Sequence, residues 1–219
     1  MPAFHVSPAR TRLDHRATLA AAACAAALAA GAWWFTDQAP YPYAQRRLLD
    51  VRLPFLTAAN LDAMLRPCHG ERILEIGPGT GLQTLHVAPH LGPDGRLDIV
   101  DIQQEMLDHV MARAERANLS TIHPHCADAR ELPFDAGTFD AVYLVTALGE
   151  IPEPERVLGA AATVLKPGGR LIVGEFFDRH WIPFGRLHRL ADSRGLHLAG
   201  RRGPSLAYLA RFQPCRKLG

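Results

Sequence analysis

The sequence has little cysteine, and none of it is paired. Cys24, Cys68, Cys126 and Cys215 are scattered, with no CxxC spacing. That excludes a disulfide framework and reads as free thiols in a reducing compartment. An excess of charge of one sign is lacking too. The 24 Lys and Arg face 22 Asp and Glu, a formal net charge of +2. The broad basic footprint of a nucleic-acid binder is therefore missing. Zinc spacing is absent as well. His86 and His90 stand four apart and His123-Pro-His125-Cys126 forms a second group, but neither brings the partners of a known zinc pattern. No resident metal is expected. The dinucleotide fingerprint is incomplete, because Leu82 holds the position where a third Gly or Ala belongs. This disfavours a nucleotide-binding oxidoreductase.

What is present is enough apolar material for a full core: 48% of 219 residues, which fits one α/β domain plus an extension. The chain is organised around Arg72-Ile-Leu-Glu-Ile-Gly-Pro-Gly-Thr-Gly-Leu82. Ile73, Leu74 and Ile76, broken by Glu75, predict a buried parallel strand. Gly77, Gly79 and Gly81 stop it, and residues 82–88 resume at helical spacing. A strand, glycine turn and helix put bare backbone N–H groups at the carboxyl end of a strand. That is where open α/β sheets bind ligands.

The second strand is predicted at Arg96–Val100 and ends at Asp101, with a helix starting over Ile102–Met106. An acidic residue about 20 positions past a glycine turn suits a ribose diol, and Asp101 would equally suit a helix cap. A third strand is expected at about Ser120–Pro124, then Asp128-Ala129. A fourth is expected at Ala141–Val145, a helix over Glu153–Leu165, and a sharp turn at Lys166-Pro-Gly-Gly169. A fifth strand follows at Arg170–Phe176, a helix at Phe184–Gly195, and a closing hairpin of Leu196–Arg201 and Leu206–Phe212.

In order and spacing, these signals resemble the class I S-adenosylmethionine-dependent methyltransferases over about residues 60–213. The resemblance is carried by E-x-G-x-G-x-G, the Asp after strand two, the Asp-Ala after strand three, Leu132-Pro-Phe…Phe139-Asp140 and Leu165-Lys-Pro-Gly-Gly169. The LPF…FD run is similar to the quinone C-methyltransferase branch. The resemblance implies a Rossmann-like, seven-stranded, mostly parallel sheet with an antiparallel C-terminal hairpin and helices on both faces. It implies S-adenosylmethionine as cofactor. Glu75 and the Gly77, Gly79, Thr80 and Gly81 backbone would surround the methionine part, Asp101 the ribose, Asp128 and Ala129 the adenine, with Ile102 over one adenine face. Strand four ends in Val145-Thr146-Ala147, without the Asp of the magnesium-dependent catechol type. The Asn/Asp-Pro-Pro-Tyr motif of amino-methylating nucleic-acid enzymes is absent from the same place.

The acceptor side is expected to draw on Tyr41, Tyr43, Thr146, Glu150, His180 and Trp181. Glu150 reads either as a base or binder of a cationic or hydroxyl acceptor, or as an N-terminal helix charge. His180 reads either as a base beside Trp181 or as an ordinary loop residue. The expected activity is methyl transfer to a small hydrophobic or lipid-like, quinone-like acceptor, with no nucleic-acid partner. Its rivals are a phospholipid amine N-methyltransferase and a membrane-tethered binding protein without turnover.

Domain boundaries are expected at 1–39 for an N-terminal extension and 40–219 for the methyltransferase domain. Ala17 to Phe35 carries no charge and ends in Trp33-Trp34-Phe35. The stretch reads as an Ala-rich helix over 17–35 that is associated with a membrane, since ~20 residues suffice to span. Basic residues on its N-terminal side would orient a span so as to export the domain. The expectation is therefore split between a span of opposite orientation, a helix on the inner face of the plasma membrane, and a soluble or poorly ordered extension, with the domain itself in the cytoplasm. A signal peptide fits the basic start.

Overall fold

The computed structural model describes residues 15–36, 42–48, 50 and 53–214. They fall into two compact units, one within Met1–Asp37 and one within Gln38–Gly219.

The first unit holds one helix, α1, His15–Thr36, 22 residues long. Alanine, the best helix former, dominates it. Its described side chains from Thr18 to Leu28 are exposed. Among the described residues, no helix is long and apolar enough to cross a membrane. The spanning expectation is corrected accordingly, because alanine contributes too little lipophilicity where leucine would be needed. Alanines on every side also deprive α1 of the one-sided apolar stripe that an in-plane surface helix uses.

The second unit is a seven-stranded sheet. Its strands are β1 Arg72–Ile76, β2 Arg96–Asp101, β3 Ile122–Cys126, β4 Phe139–Val145, β5 Leu165–Phe176, β6 Leu196–Arg202 and β7 Ala207–Pro214, in the order β3-β2-β1-β4-β5-β7-β6. The first five are parallel, and β7 runs antiparallel between β5 and β6. The helices are α2 Ala58–Leu65, α3 Leu82–Val87, α4 Gln104–Arg116, α5 Pro154–Val164 and α6 Phe184–Asp192. Alternation along β1 builds two cores. Ile73 joins Leu97, Ile99, Val87 and Val110 on the side of α2, α3 and α4. Leu74 and Ile76 join Val142, Leu144, Val157, Leu158 and Leu187 on the side of α5 and α6. Both faces of the central strands are thus covered, as near-continuous apolar runs require.

Several elements differ from expectation at their ends. β5 begins at Leu165, not Arg170. Its register jumps between Phe139↔Leu165 and Ala141↔Arg170, so the Lys166-Pro-Gly-Gly169 turn is absorbed as a bulge inside the strand. β3 lies two residues later than expected. It is outermost, and Pro124, paired with Ile99, is tolerated there because an edge strand can do without one donor. Ahead of β1 the chain forms a 3-10 turn, Tyr43–Leu48, and then α2. Thr57 caps α2 by accepting from the Asn60 N–H at 3.3 Å. At its other end the Arg170 guanidinium takes up the Leu65 and Arg66 carbonyls and pairs with Glu71 at 2.6 Å, which binds α2 to the sheet.

Asp98, fully buried in β2, is the main polar joint below the strand tips. It accepts from Arg72 at 2.8 Å, from Arg96 at 2.7 Å and from His125 Nε2 at 2.7 Å. Burial works to raise its carboxyl, but those three donors outweigh it and hold it at about 2.

Candidate functional site

Strand order reverses between β1 and β4, which opens a crevice at the carboxyl ends of the parallel strands. The glycine turn fills its floor. Gly77 N donates to Val100 O at 2.8 Å, and Gly81 N to Pro78 O at 2.9 Å. Gly77 has φ 67°, and a Cβ there would stand 2.6 Å from the Ala147 Cβ. Only glycine lets β1 turn this close to the loop that follows β4. Gly79 and Gly81 also take positive φ.

Glu75 lies beneath this turn and is only 3% exposed. Its Oε2 accepts from Thr84 Oγ1 at 2.5 Å. Burial pushes its carboxyl up to about 7. The hydroxyl of Tyr143, its cross-strand neighbour, lies close enough to oppose part of that rise, though it meets no partner at full hydrogen-bond geometry. The Thr80 hydroxyl donates to Asp50 Oδ1 at 2.7 Å. Arg113 of α4 donates to the Thr80 carbonyl at 2.7 Å. Together these contacts clamp the turn from the side of α4.

Asp101 ends β2 half-buried. Its Oδ1 accepts from Gln103 N at 2.9 Å, so it begins the cap of α4 while staying at the crevice edge. Burial raises its carboxyl, and the Gln103 N–H opposes that rise. Ile102 follows with its side chain 62% exposed. Tyr43 N donates to Gln103 Oε1 at 3.2 Å, which lays the 3-10 turn Tyr43–Leu48 against this rim. The tip of β3 is tied to the tip of β2 by Ala127 N donating to Asp101 O at 3.1 Å. Asp128 and buried Ala129 come next. Arg130 grips Asp128 with contacts of 2.6 and 3.0 Å and holds its carboxyl below the ordinary range. The sequence reading missed Arg130; its signal was an arginine two residues past an expected ligand, the spacing of a closed turn.

On the other side of the crevice, Glu150 closes the 3-10 turn Leu148–Glu150, not the first turn of α5, which begins at Pro154. The helix-charge reading of Glu150 therefore fails on position. His180, 7% exposed, stands with Nδ1 3.8 Å from Glu150 Oε1. Gly149 makes this approach possible, since a Cβ there would meet the His180 carbonyl at 1.8 Å. Asp178 Oδ1 accepts from His180 N at 2.8 Å. Glu175, which sequence reading left inside a strand, is buried and accepts from Ile182 N at 3.1 Å. Burial lifts Glu175 well above the carboxylate range, with Asp178 and Glu150 adding to the rise. The Glu150 carboxylate thus faces the His180 imidazole, while Asp178 holds the His180 backbone.

Phe177 N donates to Leu206 O at 2.8 Å, and the Trp181 ring meets Phe177 edge-on at 5.3 Å. Phe177 and Leu206 are both about half exposed, at 49% and 52%. Thr146 takes φ 57° and its hydroxyl donates to Val145 O at 2.7 Å. Tyr43 packs against His109, and Tyr41 lies outside the described residues.

Residues 73–169 match the model of the methyltransferase domain family. Over 112 residues the chain is 37% identical to the ubiquinone/menaquinone biosynthesis C-methyltransferase UbiE of Stutzerimonas stutzeri (strain A1501), a stretch covering 49% of this chain and 43% of that protein. The chain spans about half the length of the curated relatives it matches. Among solved structures, a SAM-dependent methyltransferase from Aquifex aeolicus is similar with a TM-score of 0.72 at 16% identity, covering 79% of this chain and 98% of that one. The [4+2]-cyclase SpnF is similar with a TM-score of 0.65 at 19% identity, covering 82% and 84%. At these identities the likeness establishes the fold, and the two names show that the fold carries more than one chemistry.

Proposed function

We propose that the chain, whose residues 73–169 match the methyltransferase domain family, is a class I S-adenosylmethionine-dependent methyltransferase that transfers a methyl group from that cofactor to a small hydrophobic, quinone- or lipid-like acceptor. The observation that carries the reading is the row of polar groups on three adjacent strand tips. The bare turn Gly77–Gly81 follows β1, Asp101 ends β2, and Asp128-Ala129 follows β3, with the last two tips joined through Ala127 N.

The residues present fit the cofactor. Asp101 sits half-buried at the end of β2, its carboxylate bonded to Gln103 N, beside an exposed apolar Ile102 suited to a flat base. When bound, S-adenosylmethionine supplies a methyl activated by a sulfonium. The chain's own part is placement and exclusion of water. The backbone of the glycine turn admits the ligand where any Cβ would be in the way. Asp101 orients the ribose hydroxyls by accepting from them. Ala129 N–H and Asp128 meet the base, and Asp128 stays ionised under Arg130. Glu75 and Thr84 hold the turn from below.

On the acceptor side, the apolar edge of Phe177, Trp181 and Leu206 supports a hydrophobic acceptor, as does the name of the UbiE relative. The 3.8 Å approach of Glu150 to His180 supports this pair as the groups that take a proton there. The phospholipid amine reading rests on the same Glu150, whose carboxylate would face an ammonium. The free thiols support work in the cytoplasm, where the cofactor is made.

Calorimetry with S-adenosylhomocysteine tests the cofactor half: wild type binds, and Asp101→Ala loses most of that affinity. No heat with wild type, or an unchanged affinity in the variant, overturns it. Labelled S-adenosylmethionine incubated with separate quinone, lipid-amine and polar-metabolite pools tests the acceptor half. Label in the quinone pool supports the main reading and label in the lipid amines supports the rival. Label only in polar metabolites, or in no pool, overturns both.

A further inference from the structure

We propose that Asp62, His86 and His90 form a binding site for one divalent transition metal of the zinc class, which staples α2 to α3. The sequence shows only the two histidines. The fold supplies the third ligand from 24 residues upstream, on a different helix. One ligand atom of each residue lies within 4.8 Å of the other two, a spacing that small rotations of partly exposed side chains draw onto a single ion. His86 closes α3 and His90 stands in the 3-10 turn Ala88–Leu91 that continues it, with ring centroids 5.0 Å apart.

Hydrogen bonding settles which nitrogens are available. His86 Nε2 stands 2.9 and 3.0 Å from the two Asp62 carboxylate oxygens. A carboxylate only accepts, so Nε2 carries the proton, and a metal entering between them takes that proton's place and releases it to solvent. His90 Nδ1 stands 3.0 Å from the His86 carbonyl. A carbonyl also only accepts, so Nδ1 carries the hydrogen and Nε2 presents its lone pair. An imidazole held by one nitrogen so that the other faces the ion is the usual arrangement at protein-bound metals.

Two imidazoles and one carboxylate favour zinc, cobalt(II) or nickel(II) over magnesium or calcium, which prefer all-oxygen sites. The His86 and Asp62 side chains are 30% and 35% exposed, which gives an ion access and leaves a fourth position to water. None of the three belongs to the crevice groups. α3 begins immediately after the glycine turn, so the ion would tie the segment preceding β1 to the helix leaving that turn.

The test uses the full chain, stripped with chelator, and zinc(II) or cobalt(II) alone as the probe. Wild type is compared with Asp62→Asn and His90→Gln by equilibrium dialysis and by thermal melting with and without metal. His90 is exposed, so its variant keeps the metal-free melting temperature. The expected result is one ion bound by wild type, a melting temperature raised by it, and affinity weakened roughly tenfold or more in each variant. A wild type that takes up no ion, or variants that bind and melt with metal as wild type does, overturn the proposal. Neither result depends on whether the crevice binds S-adenosylhomocysteine.

Discussion

Thr84 Oγ1 donates to Glu75 Oε2 across 2.5 Å, and this pair closes the core directly beneath the glycine turn. Its pH behaviour is testable. The folded-state pKa of Glu75 lies above the unfolded value, at about 7 against 4.5. The folded state therefore binds the extra proton between those values. Stability from this group is complete below about 4.5 and is lost as pH rises toward 7, by on the order of 3 kcal/mol. Glu75→Gln removes the titration. Its melting temperature relative to wild type should climb from pH 5 to pH 8, and parallel curves over that range would count against the buried carboxyl.

Asp98 gives the opposite sign. Its folded-state pKa of about 2 lies below the unfolded 3.8, so its contribution is present above pH 4 and lost as pH falls toward 2. Removing it as Asp98→Ala leaves Arg72, Arg96 and His125 without their common acceptor. The arginines are more than a third exposed. The expected loss is therefore about 2–3 kcal/mol by denaturant unfolding, at or below the range for a fully buried pair. A loss within experimental error would show the joint to be incidental.

Gly77 and Gly137 share nearly the same φ, 67° and 68°, but not their surroundings. A Cβ on Gly137 meets nothing within 4 Å, while one on Gly77 meets Ala147 at 2.6 Å. Gly137→Ala should cost only the left-handed penalty, about 1–2 kcal/mol. Gly77→Ala should cost visibly more and weaken S-adenosylhomocysteine binding, which Gly137→Ala leaves alone. Equal losses in both variants would mean that the loop after β4 simply gives way.

Glu150 and His180 separate the two halves of the crevice. Glu150→Gln and His180→Gln should leave the affinity for S-adenosylhomocysteine unchanged, while turnover falls by roughly 10²-fold or more if the pair moves a proton. The pH–rate profile should also flatten. A fall in cofactor affinity with turnover intact would remove both from the acceptor side.

Much of this was legible in the sequence, for identifiable reasons. At Arg72–Val87 the apolar period changes from near-continuous to helical across three glycines, and the observed strand, turn and helix follow it. Asp101 stands where spacing from that turn put it. Contacts across sequence distance were not legible. Arg130 on Asp128 is a side-chain choice within a turn, and β5 absorbs a Lys-Pro-Gly-Gly turn because β4 holds both ends in register. Glu175 reads as strand interior, and its burial depends on Tyr208 opposite and Ile182 above. The meeting of Glu150 with His180 rests on a backbone contact at Gly149, 31 residues from its partner, which no local pattern announces.

The two outermost strands carry a consequence for the molecule's behaviour in a crowded solution. A bare sheet edge is a template onto which another chain can zip, and growth from such templates ends in fibrils. β3 presents Pro124, which has no hydrogen to offer an incoming strand, and β6 ends in exposed Arg201 and Arg202, which repel their like. Exchanging Pro124 for valine would mend one edge and, by the same stroke, invite polymerisation.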